Sequence, residues 1–130
     1  KELIGPIVFL RPLGLRLYLA KANEYHIYAI GSSSSNDAST NKFYESRYLG
    51  ESKKNYSDCR ALILEIKAVA AGINDSSRQQ IMDKCDQIVA YFDSLCSFTT
   101  ADSSAVTEAS ETTKLVVKLM YEICDLMGIK

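Results

Sequence analysis

The second half of this chain is written in apolar stripes that recur every three or four residues, and that spacing restricts its fold more than any other feature. In YSDCRALILEIKAVAAGI (56–73) the stripe is Cys59, Leu62, Ile63, Ile66, Val69, Ala70 and Ile73. Such spacing puts the residues on one side of a 3.6-residue helix. Ser57 is a natural N-cap and Gly72 a natural stop. A second stripe holds Ile81, Met82, Cys85, Ile88, Val89, Phe92, Leu95 and Cys96. Ser77 and Gln80 ahead of it fit a capping box. A third holds Val106, Ala109, Thr113, Val116, Val117, Met120, Ile123, Cys124 and Met127. Asp102 or Ser103 can cap it. Short links make successive helices antiparallel neighbours, so residues 56–130 predict an antiparallel three-helix bundle.

The first 31 residues are written differently. LRLYLA (15–20) alternates with period two, while IVFL (7–10) and YHIYAI (25–30) are strand-like in composition. RPLG and KANE supply turn residues between them. A helix over 15–30 would instead align Leu15, Tyr18, Leu19, Ala22, His26 and Ala29. The alternation favours strands and predicts an antiparallel β-meander. A small sheet needs a packing partner, which the three helices can supply. The expected class is therefore α+β, with the N-terminal meander packed on the C-terminal bundle. Residues 1–130 then form a single domain: a β-rich segment at 1–31, a flexible loop at 32–42, a connector at 43–55 and the bundle at 56–130. The connector fits a strand or a helix, and Gly50 argues for a break within it. GSSSSNDASTNK (31–42) has the composition of a mobile crossover loop.

With 47% apolar residues, a chain of this length can bury roughly 65–70% of its unfolded surface. The net charge of −1 gives no general attraction to nucleic acid or anionic membrane. Residues 1–60 hold nine basic and six acidic side chains, whereas 61–130 hold six and ten. That asymmetry can steer a partner or a second copy of the chain. No apolar run approaches the ~20 residues of a membrane span. PIVFLRPLGLRLYLAKA is cut by Arg11 and Arg16 and is not read as a signal peptide.

No residue pattern here carries catalysis. His26, the single histidine, has no predictable partner, and neither a nucleophile elbow nor a phosphate loop occurs. The four cysteines lack metal-ligand spacing, so no metal or cofactor is expected. Cys85 and Cys96 lie about 16 Å apart along one helix. Antiparallel pairing sets Cys59 opposite residues 90–92, about 8 Å out of register with either. Free thiols in an intracellular, cytoplasmic setting follow from that arrangement, and export of a longer precursor stays open. Asn55 and Asn74 begin glycosylation triplets, which the thiol argument counts against.

One stretch stands out for recognition, FYESRYLGESKKNY (43–56). It gathers Tyr44, Arg47, Tyr48, Lys53, Lys54 and Tyr56, with Arg60 just beyond. Tyrosine and arginine are the usual anchors of protein interfaces. The expected function is a non-enzymatic protein–protein interaction module: an adaptor, an inhibitor or an assembly subunit, with itself among the candidate partners. Interleaved Glu45, Glu51 and Asp58 dilute the positive charge, so nucleic acid is not the expected partner. The alternative is a binder of a small ligand or nucleotide, in a pocket between sheet and helices.

Overall fold

The computed structural model describes residues 12–31, 35–72 and 76–127. Among them are four helices and no strand: α1 (Pro12–Gly31), α2 (Ser35–Ala70), α3 (Arg78–Leu95) and α4 (Ser103–Met127). The α+β expectation is thus overturned, and the architecture is all-helical. Residues 15–20 and 25–30, expected as strands, form one continuous helix. The expected strand at 7–10 lies outside the described residues.

The physical reason is visible in α1. Leu19, Ala22 and Ala29 are buried at spacings of three and seven, with half-buried His26 between them on the same face. That set lies along the helical alternative of the sequence. Leucine and alanine, which together make seven of the twenty residues in this segment, favour helix. Pro12 opens it, where a missing N–H costs nothing, and Gly31 closes it.

Helix α2 runs through 36 residues, roughly 54 Å of axis. It begins at Ser35, inside the serine run, so the expected 32–42 loop is helical from that residue onward. The connector at 43–55 is helical throughout, and Ser57 lies mid-helix instead of at a cap. The buried face of α2 is Glu45, Leu49, Ser52, Tyr56, Cys59, Ile63, Ile66 and Ala70, alternating steps of four and three. This is the packing period of antiparallel bundles. Gly50 sits on the exposed side with open space around it, so it does not break the helix.

Helices α3 and α4 follow their stripes. Ile81, Cys85, Ile88, Phe92 and Leu95 are buried on α3, and Ala105, Ala109, Thr113, Val116, Met120 and Ile123 on α4. Asp102 caps α4, its Oδ1 accepting the Ala105 N–H at 2.8 Å. Ser77 precedes α3 with a helical backbone and no side-chain capping bond, unlike the expected capping box.

The helices pack in a closed ring, α1 on α2, α2 on α3, α3 on α4 and α4 on α1. Ion pairs link neighbouring helices. Arg60 meets Asp93 and Lys67 meets Asp86 along α2 and α3, and Lys84 meets Glu122 between α3 and α4. His26 meets Glu45 between α1 and α2. Along α2 and α3 one number rises as the other falls, so these two helices run antiparallel. Four helices therefore stand where three helices and a sheet were expected, and α1 fills the place given to the sheet.

Candidate interaction surface

The α1–α2 hairpin carries an aromatic face that only the helical form of α1 can build. Tyr18, Lys21, Tyr25 and Tyr28 are spaced three and four apart, so they share one flank of α1. On α2 the i,i+4 pair Tyr44 and Tyr48 turns toward them. The Tyr25 ring stacks on Tyr44 at 5.1 Å and 28°, and on Tyr48 at 5.7 Å and 4°. Tyr28 meets Tyr25 edge-on at 6.1 Å, and Phe43 meets Tyr44 edge-on at 5.5 Å. Lys21 Nζ lies 5.7 Å from the Tyr25 ring centre and pairs with Glu24 at 3.3 Å. The inner rings are half-buried, while Tyr28 and Phe43 stand 53% and 64% exposed. Two large rings thus face solvent, braced by three that are held in place.

A buried polar node anchors this face to the rest of the bundle. Glu45 is almost wholly buried. Its Oε2 accepts His26 Nδ1–H at 2.7 Å and the Ala101 N–H at 3.1 Å, and its Oε1 takes Lys42 Nζ at 3.2 Å. One carboxylate therefore joins α1, α2 and the α3–α4 link. Burial pushes the Glu45 carboxyl upward, but the Ala101 N–H, Lys42 and His26 outweigh it and hold it below its ordinary value. His26 thus has a partner that its sequence context did not reveal.

The seven residues singled out by sequence fall into three places. Tyr44 and Tyr48 belong to the aromatic face, and Arg47 and Lys54 are exposed on α2. Lys53 and Arg60 sit toward α3: the Lys53 carbonyl accepts the Cys96 thiol at 3.7 Å, and Arg60 Nε pairs with Asp93 at 2.7 Å. Tyr56 is fully buried against Phe92, so it presents nothing to a partner. Burial, with smaller contributions from Cys96 and Cys59, pushes its phenol up to about 12. Tyr25 and Tyr28 were missed, because their clustering depends on α1 being a helix, while Phe43 opens the stretch singled out by sequence without being among its seven candidates. The signal that could have found them is the 18, 21, 25, 28 spacing.

The other expected chemistries can be placed as well. With no sheet among the described residues, the pocket expected between sheet and helices has no walls. Two surface depressions of about 260 and 240 Å³ lie on the α3–α4 side. The larger is lined by Lys84, Gln87, Tyr91, Lys118, Leu119 and Glu122, among others. No group of three or more His, Cys, Asp or Glu among the described residues could hold a metal. All four cysteines are free. The Arg60–Asp93 and Lys67–Asp86 pairs set Cys59 opposite about residue 94 instead of 90–92, and Cys96 lies between the Ser57 hydroxyl and the Lys53 carbonyl. No helix among the described residues is long and apolar enough to cross a membrane.

Comparison with protein-family models, with curated proteins and with solved structures finds no match to this chain.

Proposed function

We propose that this chain is a non-enzymatic protein-interaction module that docks through the outward face of its α1–α2 hairpin. The observation that carries the proposal is the braced aromatic set, with Tyr28 and Phe43 exposed over stacked Tyr25, Tyr44 and Tyr48. Rings already held in one arrangement lose little conformational freedom on binding, and aromatic anchors contribute most of the energy of many interfaces. Arg47 adds an exposed guanidinium at the edge of the same face. Free thiols, two of them buried, fit a reducing, intracellular setting for this interaction.

The test is a footprint. The full chain is used to isolate a complex from its native host, and hydrogen exchange is compared between free and bound forms. Protection over residues 18–28 and 40–54, lost with Tyr28→Ala and Phe43→Ala together, is the expected result. Protection confined to α3 and α4 would place the interface elsewhere. Binding of single-stranded oligonucleotides with a steep loss in salt would replace a protein partner with nucleic acid.

A further inference from the structure

Next to the aromatic set, the outer stripe of α2 has a charge order opposite in sign, position by position, to its own reverse. Arg47, Glu51, Lys54 and Asp58 are spaced four, three and four, so they line one side of the helix. All four are exposed. Their spacing would allow Arg47–Glu51 and Lys54–Asp58 pairs within the helix, yet none of the four forms an ion pair with another described residue. Read in one direction the signs run plus, minus, plus, minus. In the opposite direction they run minus, plus, minus, plus.

Resting on the docking reading above, we infer that the occupant of this face is a second copy of the chain, packed with its α2 antiparallel to the first about a two-fold axis. In that arrangement the axis passes between Glu51 and Lys54. Arg47 then faces the second copy's Asp58, and Glu51 faces its Lys54. Symmetry repeats each contact, so all four charges of each copy find an opposite charge. The same register sets Tyr44 opposite Ala61, and exposed Phe43 opposite half-buried Leu62. Apolar contacts thus close both ends of the charged stripe, at about 14 Å to either side of the axis. A parallel arrangement would set each charge against its own like, so the pattern selects orientation as well as partner. A two-fold interface needs a self-complementary surface of this kind, because every patch must fit the same patch turned around.

The experiment is a charge-swap rescue read by sedimentation, with circular dichroism confirming that each chain is folded. Wild type is expected to associate reversibly into a two-chain species that weakens with salt. The variant R47E/K54E has an all-acidic stripe, and E51K/D58K an all-basic one. Each alone is expected to lose at least about tenfold in self-affinity. Mixed in equal amounts, they are expected to regain a two-chain species containing one of each. Wild type that stays single-chain at the highest soluble concentration would overturn the inference, as would variants that associate like wild type. Failure here leaves the footprint at 18–28 and 40–54 as a separate test of docking by a different protein.

Discussion

Removing the Glu45 carboxylate should cost this fold more than any other single polar change in the hairpin. The Glu45→Ala variant strips three partners at once: His26 at 2.7 Å, the Ala101 N–H at 3.1 Å and Lys42 at 3.2 Å. Lys42 is exposed and returns to water. The Ala101 N–H and the His26 ring are left in a buried site, each at about 1–3 kcal/mol for an unsatisfied donor. Breaking a buried pair by removing one partner gives a similar figure, so the expected loss is about 3 kcal/mol. For a chain of this size that lowers Tm by about 11 °C. Glu45→Gln keeps an acceptor for Ala101 and should lose only about half as much. The pH dependence has a definite sign. Because the folded carboxyl titrates below its ordinary range, its stabilisation is complete above the unfolded value. It disappears as pH falls through the folded one. The gap in unfolding free energy between wild type and Glu45→Gln should therefore close in acid. Urea titrations at neutral and acidic pH measure it. A Glu45→Ala cost below about 1 kcal/mol, or a gap that stays constant into acid, would refute the node's structural role.

Three further outcomes follow from the same packing. Gly50 is an exposed mid-helix glycine whose Cβ position meets nothing within 4 Å, so Gly50→Ala should raise stability by about 0.8 kcal/mol, or about 3 °C; no gain in a thermal melt would mean that α2 is not continuous there. The Tyr56 hydroxyl is buried with no hydrogen-bond partner among the described residues, so Tyr56→Phe should leave stability unchanged or raise it by about 1 kcal/mol in urea unfolding, and a loss of that size would show a partner for the hydroxyl. Burial pushes the Cys59 and Cys85 thiols up to about 11, so both should stay unlabelled by a thiol reagent at neutral pH until the chain unfolds; rapid native labelling at either would contradict their placement.

How much of this was legible depended on which residues faced the core. On α3 and α4 the inward positions are nearly all apolar, so period and boundaries were both readable. On α2 the inward face includes Glu45 and Ser52, whose polarity hid the repeat from 43 to 55. Gly50, on the exposed side, then looked like punctuation. On α1 the inward face is mostly small, with Ala22, Ala29 and His26, so Leu15, Leu17 and Leu19 supplied a stronger period-two signal than the true period of 3.6. Packing on α2 and α4 decided between the two, and no local propensity records that packing. The candidate surface was half legible for the same reason. Tyr44 and Tyr48 announced themselves at i,i+4, whereas Tyr25 and Tyr28 gained meaning only beside them. Tyr56 shared the aromatic character of the stretch but fell on the inward face.

Nuclear magnetic resonance of the full chain is the decisive measurement, because the docking face requires α1 to be a helix lying on α2 and the self-pairing requires α2 to run unbroken through residues 43–62. Helical carbon shifts are expected through residues 12–31 and 35–55, with direct ring contacts from Tyr25 to Tyr44 and Tyr48. Extended shifts over 15–20 and 25–30, with no Tyr25–Tyr48 contact, would contradict this arrangement.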